Sequence, residues 1–306
     1  MALDTGGRGL SLFEAARRMG VPFTEEVEPE SRWATVNGLR LHYLDWGNPH
    51  LPPMLLLHGS SQTAHSWDFV ALAFRHRYHC MALDQRGHGD SDWDPAGDYG
   101  LLPMVEDLEG FCRALELPPA VIVGLSMGGR NAYTFGALHP HRVRALVVVD
   151  SGPEMRREGQ QQMQRFRSLP DEVDSLEEFV ERVHQFNPRR PKEQLWGSLR
   201  HNVRQLPNGK WTWKYDRRLR DPGHRRDLRT PEELWGYLRR VQAPTLVVLG
   251  GESDMMAQDV GERMRQALPR GYLAVVPRAG HLVPGDNPVG FIGAVQEFLD
   301  GLGERA

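Results

Sequence analysis

The chain has 306 residues, 40% hydrophobic and 25% charged, with 37 Lys and Arg against 40 Asp and Glu for a formal charge of −3. That length buries one large core or two smaller ones, and that balance offers no electrostatic case for nucleic acid or an anionic membrane as partner. Apolar runs reach only four to six residues, too short to span a bilayer, and Asp4 and Glu14 interrupt what a signal peptide needs as a continuous apolar stretch.

Residues 1–31 read as a lead-in, with Leu10, Phe13, Ala16 and Met19 at the spacing of a short amphipathic helix. Residues 32–36 and 39–46 are strand-like runs on either side of Asn37-Gly38, a strong hairpin signal. Met54 to Leu57 is a short continuous apolar run, hence a buried strand, and it ends in His58-Gly59-Ser60-Ser61. A helix is predicted over 64–74, then a strand over 79–83 closed by Asp84-Gln85-Arg86-Gly87-His88-Gly89-Asp90-Ser91. Apolar positions 104, 105, 108, 111, 112 and 115 predict a helix over 103–117 with Pro103 near its first turn. Val121-Ile122-Val123 runs as strand into Gly124-Leu125-Ser126-Met127-Gly128-Gly129, a helix is predicted over 130–139, and 143–149 is strand ending at Asp150. Strands alternating with helices, and apolar on both faces, predict a parallel sheet covered on each side.

From about 151 to 240 the alternation stops. A helix is predicted over 173–186 and a small hairpin over 206–215 around Asn208-Gly209, with Trp196, Trp211, Trp213 and Trp235 interspersed. Many arginines occur here, but Glu177, Glu178, Glu181, Asp216, Asp221 and Asp227 interleave with them, which reads as solvated helix faces. The alternation then resumes: strand 244–249 ending in Gly250-Gly251-Glu252-Ser253-Asp254, helix 257–268, strand 272–276, Ala279-Gly280-His281, and a last helix from Pro288 to about 302. The expected division is a lead-in (1–31), a core of 32–150 and 241–306, and an insertion over the sheet (151–240). Cys80 and Cys112 fall in apolar patterns and read as buried free thiols, which suits a reducing cytoplasm.

A serine hydroxyl needs a base to take its proton, a group to orient that base, and donors for the oxyanion that forms. In a parallel sheet such groups converge from loops at the carboxyl ends of strands. The candidates are therefore His58, Ser60, Asp84, Ser126, Asp150, Asp254 and His281. The pairs His76/His79 and His139/His141 lack further ligands at metal spacing, and the glycines after Asp84 lack the Lys-Ser/Thr of a phosphate loop and the third glycine of a dinucleotide fingerprint, so no metal and no cofactor is expected.

With these motifs in place (His58-Gly59, Asp84-x-Arg86-Gly87-x-Gly89-x-Ser91, Gly124-x-Ser126-x-Gly128-Gly129, Gly251-x-x-Asp254 and Gly280-His281) the chain resembles the α/β-hydrolase superfamily over about 32–302, with 151–240 resembling its variable cap. The resemblance implies an α/β fold with a mostly parallel eight-stranded sheet flanked by helices and a largely helical cap. It implies Ser126 as nucleophile, His281 as general base, Asp254 as the acid that holds the imidazole tautomer, and the N–H groups of Ser60 and Met127 as oxyanion hole. Asp254 is taken ahead of Asp150, which reads as a hinge where the cap departs, although some members place the acid after the earlier strand. His58, Asp84, Arg86 and Ser91 are expected to brace loops.

Serine at the elbow argues against relatives that carry aspartate there, and Ser60-Ser61-Gln62 in place of a glycine run after His-Gly favours small to medium acyl groups. Hydrolysis of carboxylic esters of small to medium, hydrophobic acyl or aryl groups is the leading expectation. C–C bond or enol-lactone hydrolysis is the alternative, and a non-catalytic small-ligand receptor the reading from another class. The expected partner is a small-molecule ester, with no nucleic acid and no membrane; a homodimer is left open.

Overall fold

Ser11 and Glu14 close a capping box, each side chain accepting the other's backbone N–H, and so start the first helix, α1 (Leu12–Arg18). The structure, a computed structural model, describes residues 9–221 and 229–303. The lead-in before Gly9 with Asp4, and residues 222–228 with Asp227, lie outside the described residues. After α1 come β1 (Glu30–Val36) and β2 (Leu39–Asp45), an antiparallel hairpin. It turns at Asn37 (φ 49°) and Gly38 (φ 81°), the two positive φ values a tight hairpin turn requires.

Next in order are β3 (Pro53–Leu57), α2 (Asp68–Phe74), β4 (His79–Leu83), α3 (Leu101–Ala114), β5 (Ala120–Leu125), α4 (Met127–Leu138) and β6 (Val143–Val149). The insertion holds α5 (Arg157–Ser168), β7 (Glu172–Val173), α6 (Leu176–Phe186), α7 (Lys192–Leu199), β8 (Val203–Gln205) and β9 (Trp211–Trp213). The chain then returns through α8 (Pro231–Arg240), β10 (Thr245–Gly250), α9 (Gln258–Ala267), β11 (Gly271–Val276), α10 (Val283–Asp286) and α11 (Pro288–Gly303). Among the described residues no helix is long and apolar enough to cross a membrane.

Eight strands form one sheet in the order β1-β2-β4-β3-β5-β6-β10-β11. Only the β1–β2 and β2–β4 pairings are antiparallel. The period of two along each strand divides its side chains between two cores. Leu55 and Leu57 of β3 join Val105, Phe111, Tyr133 and Met264 under α3, α4, α8 and α9. Met54 and Leu56 join Ala16, Trp67, Phe74 and Phe291 under α1, α2 and α11. Both cysteines are free and buried, and burial pushes both thiol pKa values up.

Several boundaries move for identifiable reasons. The predicted 64–74 helix opens with a single tighter turn over Ala64–Trp67 before α2. Helix α3 begins two residues before Pro103, because a first-turn proline forfeits only an N–H that has no partner there. The predicted 173–186 helix begins at Leu176, after Ser175 caps it by accepting the Glu178 N–H, and Val173 is left in β7. The expected hairpin forms as β8 and β9, with β7 added on the other side of β9. The 151–240 segment is not uniform: Leu234, Trp235 and Leu238 of α8 lie in the core cluster with residues of α3 and α4, whereas α6, α7 and the small sheet build a separate cluster around Phe179 and Trp213.

The end of β5 meets the start of α4 with no room for side chains. A Cβ on Gly124 would stand 2.2 Å from the Gly128 carbonyl oxygen. Gly124→Ala should therefore lower unfolding stability by at least about 1–3 kcal/mol. Gly236 in α8 has nothing within 4 Å of such a Cβ, so Gly236→Ala should raise it by about 0.5–1 kcal/mol. Urea midpoints of the two variants check the pair; equal shifts of the same sign would contradict this packing.

Candidate active site

Ser126 stands between β5 and α4 at φ 54°, ψ −113°, a conformation that a residue with a side chain adopts only under constraint. The constraint is visible. Its N–H donates to the Val149 carbonyl, and its carbonyl accepts from the Ser151 hydroxyl at 2.6 Å and from the Arg130 N–H. A Cβ on Gly128 would stand 2.2 Å from the Leu57 carbonyl oxygen, so the head of α4 lies directly on the end of β3.

That contact brings the loop after β3 beside the serine. A Cβ on Gly59 would be 3.4 Å from Ser126 Cβ. The Gly59 N–H is already spent on Gln62 Oε1 at 2.9 Å. The N–H groups of Ser60 and Met127, the two sequence-predicted donors, have no hydrogen-bond acceptor among the described residues. Met127 heads the 12-residue helix α4, whose dipole adds positive potential at this point.

His281 follows β11 and meets a carboxylate, but not the expected one. Its Nδ1 lies 2.7 Å from Oδ2 of Asp150. The Asp150 side chain is wholly buried and also accepts from the Gly250 N–H at 3.2 Å and the Ser253 hydroxyl at 2.6 Å. Placing Asp254 against the imidazole is therefore corrected. After Gly250 the chain turns at once, with Gly251 and Glu252 N–H bonded to the Val276 and Ala279 carbonyls and Ser253 N–H to that of Gly250. This tight turn presents Ser253 to Asp150 and carries Asp254 one step beyond, under α5, where a Cβ on Gly159 would touch the Asp254 carbonyl at 2.6 Å. Asp150, itself at φ 44°, takes the place beside the histidine.

Ser126 and His281 converge through these neighbours: Asp150 bonds the imidazole, and Ser151, next in the chain, bonds the Ser126 carbonyl. No hydrogen bond joins the Ser126 hydroxyl to His281 among the described residues. In an empty site such bonds are often long and tighten only around substrate.

The remaining candidates act as braces. His58 is fully buried, with Nδ1 on the Gly59 carbonyl at 2.8 Å and Nε2 accepting from the Gln85 N–H at 3.0 Å, and burial pushes its pKa down. Asp84 takes the Ala64 N–H at 2.6 Å, His42 Nδ1 at 2.7 Å and the Asp90 N–H at 3.0 Å. Burial disfavours its anion, yet the His42 hydrogen bond, the charges of His42 and His58 and the Asp90 N–H outweigh it and hold the carboxyl at about 2. Arg86 makes a two-pronged pair with Asp107 at 2.5 and 2.7 Å, and the Ser91 hydroxyl donates to the Asp84 carbonyl at 2.5 Å.

Two polar clusters outside these have metal-ligand chemistry: His65, Asp68 and His201, and His42, Asp84 and Asp90. Neither fits an ion. The His65 and His201 rings stack with centroids 3.5 Å apart, so their lone pairs run side by side rather than to one point, and Arg200 donates to His201 Nε2 at 2.9 Å. In the second, Asp84 Oδ2 is already shared by His42 and the Asp90 N–H. The pairs named from sequence are also spent: His79 bonds Asp45 at 2.9 Å, and the His139 ring packs on Phe135 and His141.

Sequence reasoning missed two groups. Ser253 orients Asp150, and Arg167 of α5 donates to the Ser60 hydroxyl at 3.2 Å from above. Gly-Glu-Ser-Asp contained the first as a residue beside the favoured aspartate. Nothing in the arginine-rich insertion distinguished the second.

Comparison with known proteins identifies the fold family. A family model for the alpha/beta hydrolase fold matches residues 52–288. The chain is 31% identical over 267 residues to the esterase Rv0045c of Mycobacterium tuberculosis, across 84% of this chain and 85% of that protein. A crystal structure of that esterase superposes with a TM-score of 0.76 at 29% identity, over 94% of this chain and 96% of that one. N-formylmaleamate deformylase of Pseudomonas putida is 31% identical over 279 residues, covering 87% of this chain and 95% of its own. The E-2-(acetamidomethylene)succinate hydrolase structure shares the fold, with a TM-score of 0.81 at 24% identity over 89% of this chain and 99% of that one. These similarities support hydrolase activity, and the chain belongs to the alpha/beta hydrolase fold family.

Proposed function

We propose that the protein cleaves carboxylic esters of small to medium, largely apolar acyl or aryl groups through an acyl-enzyme on Ser126. The observation that carries this reading is a serine forced to the head of a helix, its carbonyl bonded by Ser151, and next to Ser151 in the chain a buried carboxylate, Asp150, bonded to the imidazole Nδ1 of His281. With the Nδ1 hydrogen directed to Asp150, Nε2 is the free acceptor for the serine proton. Ser126 Oγ attacks the ester carbonyl carbon as its proton passes to Nε2, and the carbonyl oxygen becomes an oxyanion received by the N–H groups of Ser60 and Met127. Collapse breaks the bond to the alcohol oxygen, which leaves with the proton from Nε2. Water then repeats the attack on the acyl carbon, releasing the acid and restoring the serine.

The esterase among the relatives supports this bond as the target. The acyl preference is supported by the cap: the cluster that contains Phe179, Trp213 and Tyr215 packs on Met127, directly beside the nucleophile. Two buried free thiols suit a reducing compartment such as the cytoplasm.

Hydrolysis of p-nitrophenyl butyrate tests the reading. Ser126→Ala should lose on the order of 10⁴–10⁶ in kcat with a nearly unchanged thermal midpoint, since the hydroxyl holds no packing together. Retention of more than about a tenth of the activity would remove Ser126 as nucleophile. Asp150→Asn should lose on the order of 10²–10⁴ in kcat by favouring the wrong tautomer, whereas Asp254→Asn should lose less than about tenfold. The reverse ranking of these two variants would place the acid after β10 and contradict the observed pairing.

A further inference from the structure

A cavity of about 190 Å³ lies between α1, the turn before α2, and α7 of the cap, and reaches the chain neighbours of Ser126 and His281. It exceeds the roughly 150 Å³ of a cavity that admits benzene. Leu125 and Leu282, the chain neighbours of Ser126 and His281, form its inner wall, and Leu10, Leu12, Trp67 and Phe69 extend the apolar lining. The lead-in closes it tightly: a Cβ on Gly197 of α7 would stand 2.6 Å from the Leu10 carbonyl.

The opposite wall is polar and incompletely bonded. Gln194, Gly197 and Ser198 share one face of α7, and with Arg190 just before the helix and His201 just after it they line this space. Gln194 is 6% exposed, and neither atom of its side-chain amide has a hydrogen-bond partner among the described residues. Arg190 Nε is likewise buried without a partner, and the only side-chain hydrogen bond of Arg190 among the described residues runs from Nη2 to the Ser198 hydroxyl at 3.4 Å. The guanidinium lies over Gly285, whose Cβ position is 3.4 Å from Arg190 Nη1, in the helix α10 just after His281.

No carboxylate touches this guanidinium among the described residues. Asp286, whose charge acts on it, has one oxygen on the Asn187 amide at 2.7 Å and the other on the Gly280 N–H at 2.9 Å. Of the acids that line the cavity, Asp68 bonds His65 at 2.9 Å and Glu28 is exposed. A buried cation with no carboxylate in contact is costly to hold, and a planar guanidinium with free N–H groups suits one. Gln194 adds a neutral donor at the same end.

We propose that this cavity is a subsite for a carboxylate carried on the far end of the substrate's acyl chain, with Arg190 and Gln194 as its donors and the apolar wall taking the stem. The proposal rests on Ser126 hydrolysis for the reacting end and adds the chemical class of the other. It concerns substrates with an apolar stem and an anionic terminus, which neither the fold nor the triad requires.

The p-nitrophenyl half-ester of adipic acid and p-nitrophenyl hexanoate share the reacting group and the four-methylene stem, and differ at the end. The wild-type protein should favour the half-ester in kcat/KM by about tenfold or more, and Arg190→Gln should lower that preference by about 10–100-fold. Arg190→Lys, which keeps the charge, should retain most of it. A preference for hexanoate in the wild type, or a ratio unchanged in Arg190→Gln, overturns the subsite. If Arg190→Gln does not fold, Gln194→Leu takes its place, with a loss of about threefold or more expected and an unchanged ratio again overturning the proposal. Calorimetric binding of adipate to Ser126→Ala, with and without Arg190→Gln, reads the subsite without turnover. Adipate bound only when Arg190 is present, with neither ester cleaved by the wild type, would uphold the subsite and sink the esterase reading. Both esters cleaved alike, with no adipate bound, would do the opposite.

Discussion

The geometry of the site depends on a backbone-to-backbone contact at the end of the central strand. Gly124 and Gly128 let β5, the head of α4 and the end of β3 approach to distances at which any Cβ would collide with a carbonyl. That approach leaves Ser126 in a conformation costing on the order of 1–3 kcal/mol, held by bonds to Val149 at the end of β6 and to Ser151 just after it. The same contact sets Gly59 beside the serine and leaves the Met127 N–H at a helix terminus with no internal acceptor. The positions of Ser126 and of the Met127 donor are thus one structural event.

The acid shows where a local pattern stops being sufficient. Both Asp150 and Asp254 follow strands and both lie on the same edge of the sheet. The choice is made by the turn after β10, whose backbone bonds to β11 rotate Ser253 toward β6 and send Asp254 toward α5. Those bonds join residues remote in sequence, and Gly-x-x-Asp spacing carries no information about them. Once Ser253 and Gly250 both donate to Asp150, that carboxylate is fixed at three points and the imidazole is oriented by a group which itself cannot swing.

The sheet was legible because its strands are short, continuously apolar and separated by helices with clear periodicity, so each element identified itself from local pattern alone. Ser11, Ser175 and Thr230 mark helix starts by the same local rule, through side-chain bonds to the N–H three residues on. The segments whose place was not legible are those whose partners are distant. Helix α8 has the arginines of the cap but the packing face of the core, where Trp235 donates to Glu154 at 2.8 Å. The lead-in looked like an unattached amphipathic helix until α7 of the cap supplied its other wall.

Charge shows the same contrast at its sharpest. A formal balance of −3 gives no reason to expect a polyanionic partner, and many cap arginines are paired, as Arg182 is with Glu178 at 2.5 Å and Arg217 with Glu172 at 2.5 Å. An average of this kind cannot register which of the unpaired ones are buried. Arg167 and Arg190 both make no ion pair among the described residues, and burial pushes the pKa of each below the ordinary arginine value. One donates to Ser60 in the loop after β3 and the other faces the cavity beside Leu125 and Leu282, so these two buried cations lie on the side of the cap toward the candidate site. A cap built only to exclude water would be more stable with apolar residues of similar size at both positions.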